Sequence, residues 1–100
     1  MLDKLSKSQL QTLIRTVSRD SSRVGFTKHV LTRMKERQIT RDMAVEVLRK
    51  GLLIREPEPN LVKGSIECRM EKFMTGRDIG IVVALSNDDP DLLVITAMEL

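Results

Sequence analysis

The feature that most constrains the fold is a change of hydrophobic period at Gly51. Before this residue, apolar side chains recur every three or four positions, as on one face of a helix. After it they alternate or form short continuous runs, as they do in strands. Helices followed by strands indicate an α+β fold, and short connections between the later strands favour antiparallel pairing. We therefore expect N-terminal helices packed on one face of a three- to four-stranded antiparallel sheet.

Three helices are predicted before Gly51. The first covers residues 5–19 and has Ser6 or Ser8 as candidate caps. The second covers residues 28–37, after a cap at Thr27, and the third starts after Thr40 and ends at Gly51.

The second half of the chain is predicted to be mostly extended. A short extended run at 52–55 leads into a proline-containing turn or loop at 56–60. The predicted strands are a half-buried one at 65–73, a central one at 79–85 and a last one at 92–97.

Length and composition narrow the class of protein. The chain has 100 residues, enough for one small domain with its own core. A single cysteine, Cys68, rules out a disulfide framework and favours a reducing compartment. The sequence has no apolar stretch long enough for a membrane span, and residues 1–7 lack the apolar run of a signal peptide. We therefore expect a cytoplasmic protein that makes no use of a membrane.

The charge is unevenly distributed along the chain. Residues 1–50 hold twelve basic and five acidic side chains, whereas residues 51–100 hold five basic and nine acidic ones. The first half thus carries +7 and the second −4, although the whole chain carries only +3. A basic half indicates an anionic partner such as nucleic acid, although a solvated helix surface explains it equally well.

His29 is the only histidine and the first candidate for proton transfer. On a helix, His29 lies away from the apolar face and beside Arg33 and Glu36. Metal-independent cleavage of RNA needs a group to move protons and cations to stabilise charge on phosphorus. His29 would be the base or acid and Arg33 the phosphate clamp, while an exposed surface histidine is the alternative.

The order of motifs resembles the domain-of-unknown-function family 4258. The resemblance spans roughly residues 26–97, and the first helix lies outside it. The residues that carry it are Thr27-Lys28-His29, Arg33-Met34, Glu36 to Thr40, Val45, Val47-Leu48, Gly51, Ile81 to Val83 and Leu93 to Thr96.

That family is similar in fold to RelE/ParE-like toxins. The resemblance implies a RelE-like helix-plus-sheet domain at 26–100. Together with an N-terminal helix at 1–25, which lies outside the resemblance, we expect it to form one compact unit. It further implies a toxin-like endoribonuclease or RNA-binding relative from a mobile element. Its partners would be RNA, including ribosome-associated RNA, and an antitoxin protein.

The resemblance also assigns catalytic positions. Its histidine and arginine fall on His29 and Arg33, and the threonine of its last strand falls on Thr96, which would orient a group in the site. Such strands commonly continue into an aromatic residue, whereas residues 97–99 of this chain are not aromatic. The alternative for Thr96 is an ordinary β-branched strand residue.

Three further cations are candidate RNA ligands: Arg37, Arg69 and Lys72. Arg69 shares the polar face of its strand with Glu67 and Glu71, and the interpretation we favour is a cross-strand ion pair that contributes little energy. Either glutamate is a candidate general base. No metal or other cofactor is expected.

Two other functions fit the sequence. Residues 28–50 have the outline of a helix-turn-helix, which would make the protein a DNA-binding regulator with residues 40–50 as recognition helix. A non-catalytic interaction module is the third hypothesis, and it predicts that His29 and Arg33 lie far from any cleft. The oligomeric state is left open.

Overall fold

The structure, a computed structural model, describes residues 2–100. This part of the chain forms three α-helices and six β-strands. The helices are α1 (Lys7–Val17), α2 (Lys28–Glu36) and α3 (Arg41–Lys50). The strands are β1 (Val24–Phe26), β2 (Leu52–Leu53), β3 (Glu58–Asn60), β4 (Ser65–Met74), β5 (Arg77–Ser86) and β6 (Asp89–Glu99). The predicted α+β class is confirmed.

Each α-helix begins at a residue whose side chain caps it. The Ser6 hydroxyl accepts a hydrogen bond from the Gln9 N–H, and the Gln9 side chain accepts one from the Ser6 N–H. Thr27 and Thr40 cap α2 and α3 by accepting from the N–H three residues further on. Such caps satisfy backbone donors that have no partner within the helix. The local sequence therefore sets where all three helices start.

One hydrophobic cluster joins the three helices to a single face of the sheet. On β4, Ile66, Cys68 and Met70 are buried in it, while the residues between them are partly exposed, as the alternation predicts. The largest fully buried side chains of the cluster include Leu10, Ile14, Leu48, Met70, Ile79 and Ile81. The opposite face of the sheet is called the open face below.

The strands are arranged in the order β1-β6-β5-β4-β2, with β3 paired to the start of β4. The β2–β4, β3–β4, β4–β5 and β5–β6 pairs are antiparallel, whereas β1 runs parallel to β6. The prediction of three or four strands was wrong, and so was the expectation that all helices precede the strands, because β1 separates α1 from α2.

Both missed strands are short and lack a local signal. β1 has three residues, too few for a period, and its partner is the distant segment Leu92–Val94. β3 falls within the segment predicted as a loop because of Pro57 and Pro59. It lies at the edge of the sheet, where proline is tolerated because the outer N–H needs no partner.

Gly51 ends α3 as predicted, but not by adopting a left-handed conformation. Its φ is −74°. A Cβ at this position would lie 2.8 Å from the Glu71 carbonyl oxygen and closer still to that of Val47. Glycine is therefore required by the close approach of the end of α3 to β4.

Two arginines connect α1 to α3. The Arg15 guanidinium donates to the Gly51 carbonyl oxygen at 2.7 Å, at the end of α3. In the opposite direction, Arg49 donates to the Ser18 carbonyl oxygen at 2.7 Å, at the end of α1. Each guanidinium satisfies a carbonyl that the helix itself leaves unpaired.

Within residues 2–100, no helix is both long and apolar enough to cross a membrane.

Candidate functional site

Helix α2 presents a stripe of basic side chains beside the last strand. His29 and Arg33 are spaced by four residues, and Arg37, the residue that caps the end of α2, follows at the same spacing, so the three lie on one side. Val30 and Met34 on another side are buried in the core. His29 and Arg33 are exposed, so the predicted position of His29 away from the apolar face is confirmed.

The stripe lies along the part of β6 that β1 does not reach. β1 pairs only with Leu92–Val94, which leaves the following carbonyls at the outer edge of β6 without a strand partner. Arg37 Nη1 donates to the Ala97 carbonyl oxygen at 2.6 Å. This bond satisfies a strand acceptor and holds α2 against β6.

A bulge in β6 decides which way Thr96 points. Val83 pairs with Val94 and Val82 with Thr96, so Ile95 is an extra residue in β6. Strict alternation from the buried Val94 would turn Thr96 into the core. Because of the bulge, Thr96 instead shares the open face with its partner Val82.

The stripe and the bulged strand enclose a cavity, which we call the α2–β6 cavity. Four residues singled out from the sequence line it, together with neighbouring residues of α2 and β6, and its volume is about 390 Å³. The four are His29, Arg33, Arg37 and Thr96. The structure thus places the three predicted catalytic residues and one predicted RNA ligand around one opening.

The electrostatics of the cavity are dominated by its two arginines. Arg33 Nη1 lies 3.1 Å from Glu36 Oε1, and the two side chains are 49% and 56% exposed. Exposed pairs of this kind contribute at most about 1 kcal/mol to stability. An anionic ligand can therefore replace Glu36 as the partner of Arg33 at small cost.

Arg69 lies on the open face but does not line the α2–β6 cavity. It pairs with Val82, which pairs with Thr96, so the three form one row across the sheet. With strands ~4.8 Å apart, Arg69 and Thr96 are ~10 Å apart at their Cα atoms. Arg69 Nη2 lies 2.8 Å from Glu71 Oε2, with the two side chains only 17% and 18% exposed. Arg69 is thus in an ion pair, but the expected cross-strand partner was wrong, because Glu71 belongs to the same strand.

Lys72 is not brought to the site. It alternates with Arg69 and Glu71 along β4 and so lies on the face of Cys68 and Met70. It lines a separate depression near the end of α3. The same alternation in the sequence already distinguishes it from Arg69.

A residue that sequence reasoning missed, Arg77, fixes the end of α2. Its guanidinium donates to the carbonyl oxygens of Arg37 at 2.7 Å and Gln38 at 2.9 Å, where the chain leaves the helix with φ 56° at Gln38. It also donates to Glu99 Oε1 at 2.7 Å, near the end of β6. Arg77 starts β5 after a turn, and no local pattern identifies such a long-range contact.

The two helices of the alternative helix-turn-helix pack on different partners. α2 lies against β6, whereas α3 packs on α1, β4 and β5. The Arg41 side chain at the start of α3 stacks over the Phe26 ring, 5.4 Å from its centroid.

Together the fold and the cavity define an α+β domain with a basic cleft that holds one histidine. The family model Domain of unknown function (DUF4258) matches residues 26–99, and the chain therefore belongs to this family. The matched segment includes every residue of the α2–β6 cavity. No curated protein and no solved structure matches the chain.

Proposed function

We propose that this protein is an RNA-directed, toxin-like endoribonuclease that needs no metal ion. The observation that supports this best is the shared position of His29, Arg33, Arg37 and Thr96 around the α2–β6 cavity. The histidine can transfer protons, and the two guanidinium groups and the hydroxyl can stabilise the charge that develops when a phosphodiester is cleaved.

The proposed reaction is attack of the RNA 2′-oxygen on the neighbouring phosphorus. The bond between O2′ and phosphorus forms, the bond between phosphorus and O5′ breaks, and a 2′,3′-cyclic phosphate results. His29 accepts the 2′-hydroxyl proton, and the leaving O5′ takes a proton from His29 or from water. General acid–base catalysis of this kind contributes about 10²- to 10⁴-fold in rate.

The two arginines act on the charge that develops at phosphorus. Arg33 is exposed and weakly paired, so it turns to the phosphate as RNA binds. Arg37 is held by the Ala97 carbonyl through one nitrogen and offers its remaining N–H groups to the cavity. The Thr96 hydroxyl donates to a phosphate oxygen. Arg37 is the donor fixed in advance, and such a donor stabilises a transition state without reorganising.

The proposal extends to the biological setting. The protein would be a RelE/ParE-like toxin of a mobile element, acting in the cytoplasm on RNA that includes ribosome-associated RNA. An antitoxin protein would be its partner. An RNA-binding relative that does not cleave is the weaker form of the same proposal.

The test is cleavage of a fluorescent single-stranded RNA by purified protein in the presence of EDTA. We expect cleavage by the wild type and a loss of at least about 100-fold in His29→Ala. Arg33→Ala should lose activity, whereas its matched control Lys35→Ala should not. Lys35→Ala removes the same charge from the same helix at a position outside the cavity.

Two outcomes reject the proposal. One is cleavage that is equal in the wild type and His29→Ala, which indicates a contaminating nuclease. The other is a wild type that neither cleaves nor binds any RNA, with or without ribosomes. Binding without cleavage, abolished in Arg33→Ala, supports the weaker form.

A further inference from the structure

A second depression adjoins the α2–β6 cavity, and Thr96 lines both. We call it the sheet-face depression because it lies on the open face. Val82 and Met98 supply apolar lining, and the volume is about 190 Å³. This is less than the ~300 Å³ at which sites for drug-sized ligands begin, and it suits a single planar group. An RNA strand with its phosphate in the α2–β6 cavity would carry the adjacent base across Thr96 into it.

Arg69 gives this depression a flat surface. Its Nε and Nη2 both donate to Glu71 Oε2, at 3.1 and 2.8 Å, which fixes the plane of the guanidinium. Nucleobases stack on arginine planes as well as on aromatic rings. Phe26 and Phe73 are the two aromatic residues of the chain. Among residues 2–100, neither lines the sheet-face depression. Stacking therefore falls to Arg69, with Met98 beside it.

Three glutamates and Arg55 also line the depression. Glu56 is paired with Lys7 at 3.3 Å, so Glu58 and Glu67 are the carboxylates that can give the depression hydrogen-bonding specificity. Glu58 and Glu67 are directly opposed residues of β3 and β4, and like charges so placed destabilise a sheet. Glu67 accepts a bond from Asn60 Nδ2 at 3.3 Å, while Glu58 has no side-chain partner within residues 2–100. A ligand that donates N–H groups to them would relieve the repulsion.

We propose that the sheet-face depression is a nucleobase subsite that accepts a base with an exocyclic amino group and rejects uracil. Guanine fits best, because its amino group adjoins a ring N–H and the two can bond one carboxylate together. Uracil presents carbonyl oxygens on both sides of its N–H, and a carboxylate repels them. The inference rests on the proposed function for the position of the phosphate. It adds the base preference and assigns Glu67 and Arg69 to base recognition.

The experiment is methyl NMR of the whole protein titrated with 3′-GMP and with 3′-UMP. We expect 3′-GMP to shift the Val82 and Met98 methyl signals and to bind about tenfold more tightly than 3′-UMP. Glu67→Gln should reduce this ratio to below about threefold, because the amide offers a donor where the base needs an acceptor. Glu58→Gln is a second variant with the same expected direction.

The matched control is Glu46→Gln, which makes the same exchange on α3 at a glutamate paired with Lys50 outside the depression. It should keep the tenfold ratio. Equal affinities for the two nucleotides, or a ratio unchanged in both Glu67→Gln and Glu58→Gln, overturn the subsite. RNA cleavage without base preference overturns the subsite but leaves the proposed function standing. A GMP preference without cleavage supports the subsite and counts against the nuclease form of the proposed function.

Discussion

Arg33 and Arg69 each pair with a glutamate, but the two pairs lie in different surroundings. The Arg33–Glu36 pair stands on the surface of α2 with both side chains about half exposed, and its shortest contact is 3.1 Å. The Arg69–Glu71 pair lies low on the open face with less than a fifth of each side chain exposed, at 2.8 Å. If the exposed pair opens, water or a phosphate can take the place of the lost partner at little cost. If the part-buried pair opens, each charge is left with neither a partner nor full hydration. Burial therefore separates a guanidinium whose charge is available to a phosphate from one whose charge is held by a neighbouring carboxylate.

The strongest test of this difference is the stability of Arg69→Ala. We expect it to lower the free energy of unfolding by about 2–3 kcal/mol, because Glu71 is left part-buried without a partner. Urea denaturation measures this value. The double variant Arg69→Met with Glu71→Leu should recover most of the loss, since it removes both charges. If Arg69→Ala costs no more than Arg33→Ala, the distinction between the two pairs is wrong.

Cys68 precedes Arg69 in β4 but lies on the opposite face of the sheet, where its thiol is buried in the core. Burial raises its pKa from 9.0 to about 12. Above pH 9 the unfolded chain therefore releases a proton that the folded chain keeps, and stability falls as pH rises toward 12. We expect a loss of about 1 kcal/mol between pH 8 and pH 10 that Cys68→Ala does not show. Equal losses in both proteins, measured by urea denaturation, would assign the effect to other groups.

Arg37 is intermediate between the two arginines, because it lines the α2–β6 cavity and also bonds the Ala97 carbonyl. Arg37→Ala should lower the free energy of unfolding by about 1 kcal/mol through that lost bond. It should also weaken RNA binding. Thermal denaturation and fluorescence anisotropy with a labelled RNA measure the two effects. A change in affinity with no change in stability would show that the bond to β6 contributes nothing.

Arg33→Ala should have the smallest effect on stability, below about 0.5 kcal/mol. Its effect should appear in RNA binding instead. Losing one phosphate contact reduces the slope of log affinity against log salt by about 0.7 for a single strand. Anisotropy titrations over a range of salt concentrations give this slope. Lys35→Ala is the control, and an equal change there would indicate a diffuse charge effect rather than a site.

The structure places the parts of the site that local sequence controls where the pattern predicts them. Thr27 caps α2, and the helical period then puts His29 and Arg33 on one exposed side. The alternation of β4 likewise separates Arg69 from the buried Cys68. These features depend on neighbours within a few positions, and this is why periodicity and caps find them.

Other parts depend on contacts between distant segments. Lys72 was predicted as an RNA ligand, but the pleat of β4 turns it to the face opposite Arg69. Arg77 is hydrogen-bonded to the end of α2 although it is distant from it in the sequence, and no spacing of residues predicts this contact. The register of β6 against β5 likewise depends on packing along both strands.

The sequence by itself determined the α+β class, the starts of the three helices and the basic stripe of α2, because each follows from local propensity and period. The tertiary structure alone decided that the pairing of β1 with β6 ends at Val94, that a bulge at Ile95 turns Thr96 outward, and that α2 lies along the vacant edge of β6. Those three facts create the cavity. Pairing and packing set them through residues far apart in the chain, so no single stretch of sequence encodes them.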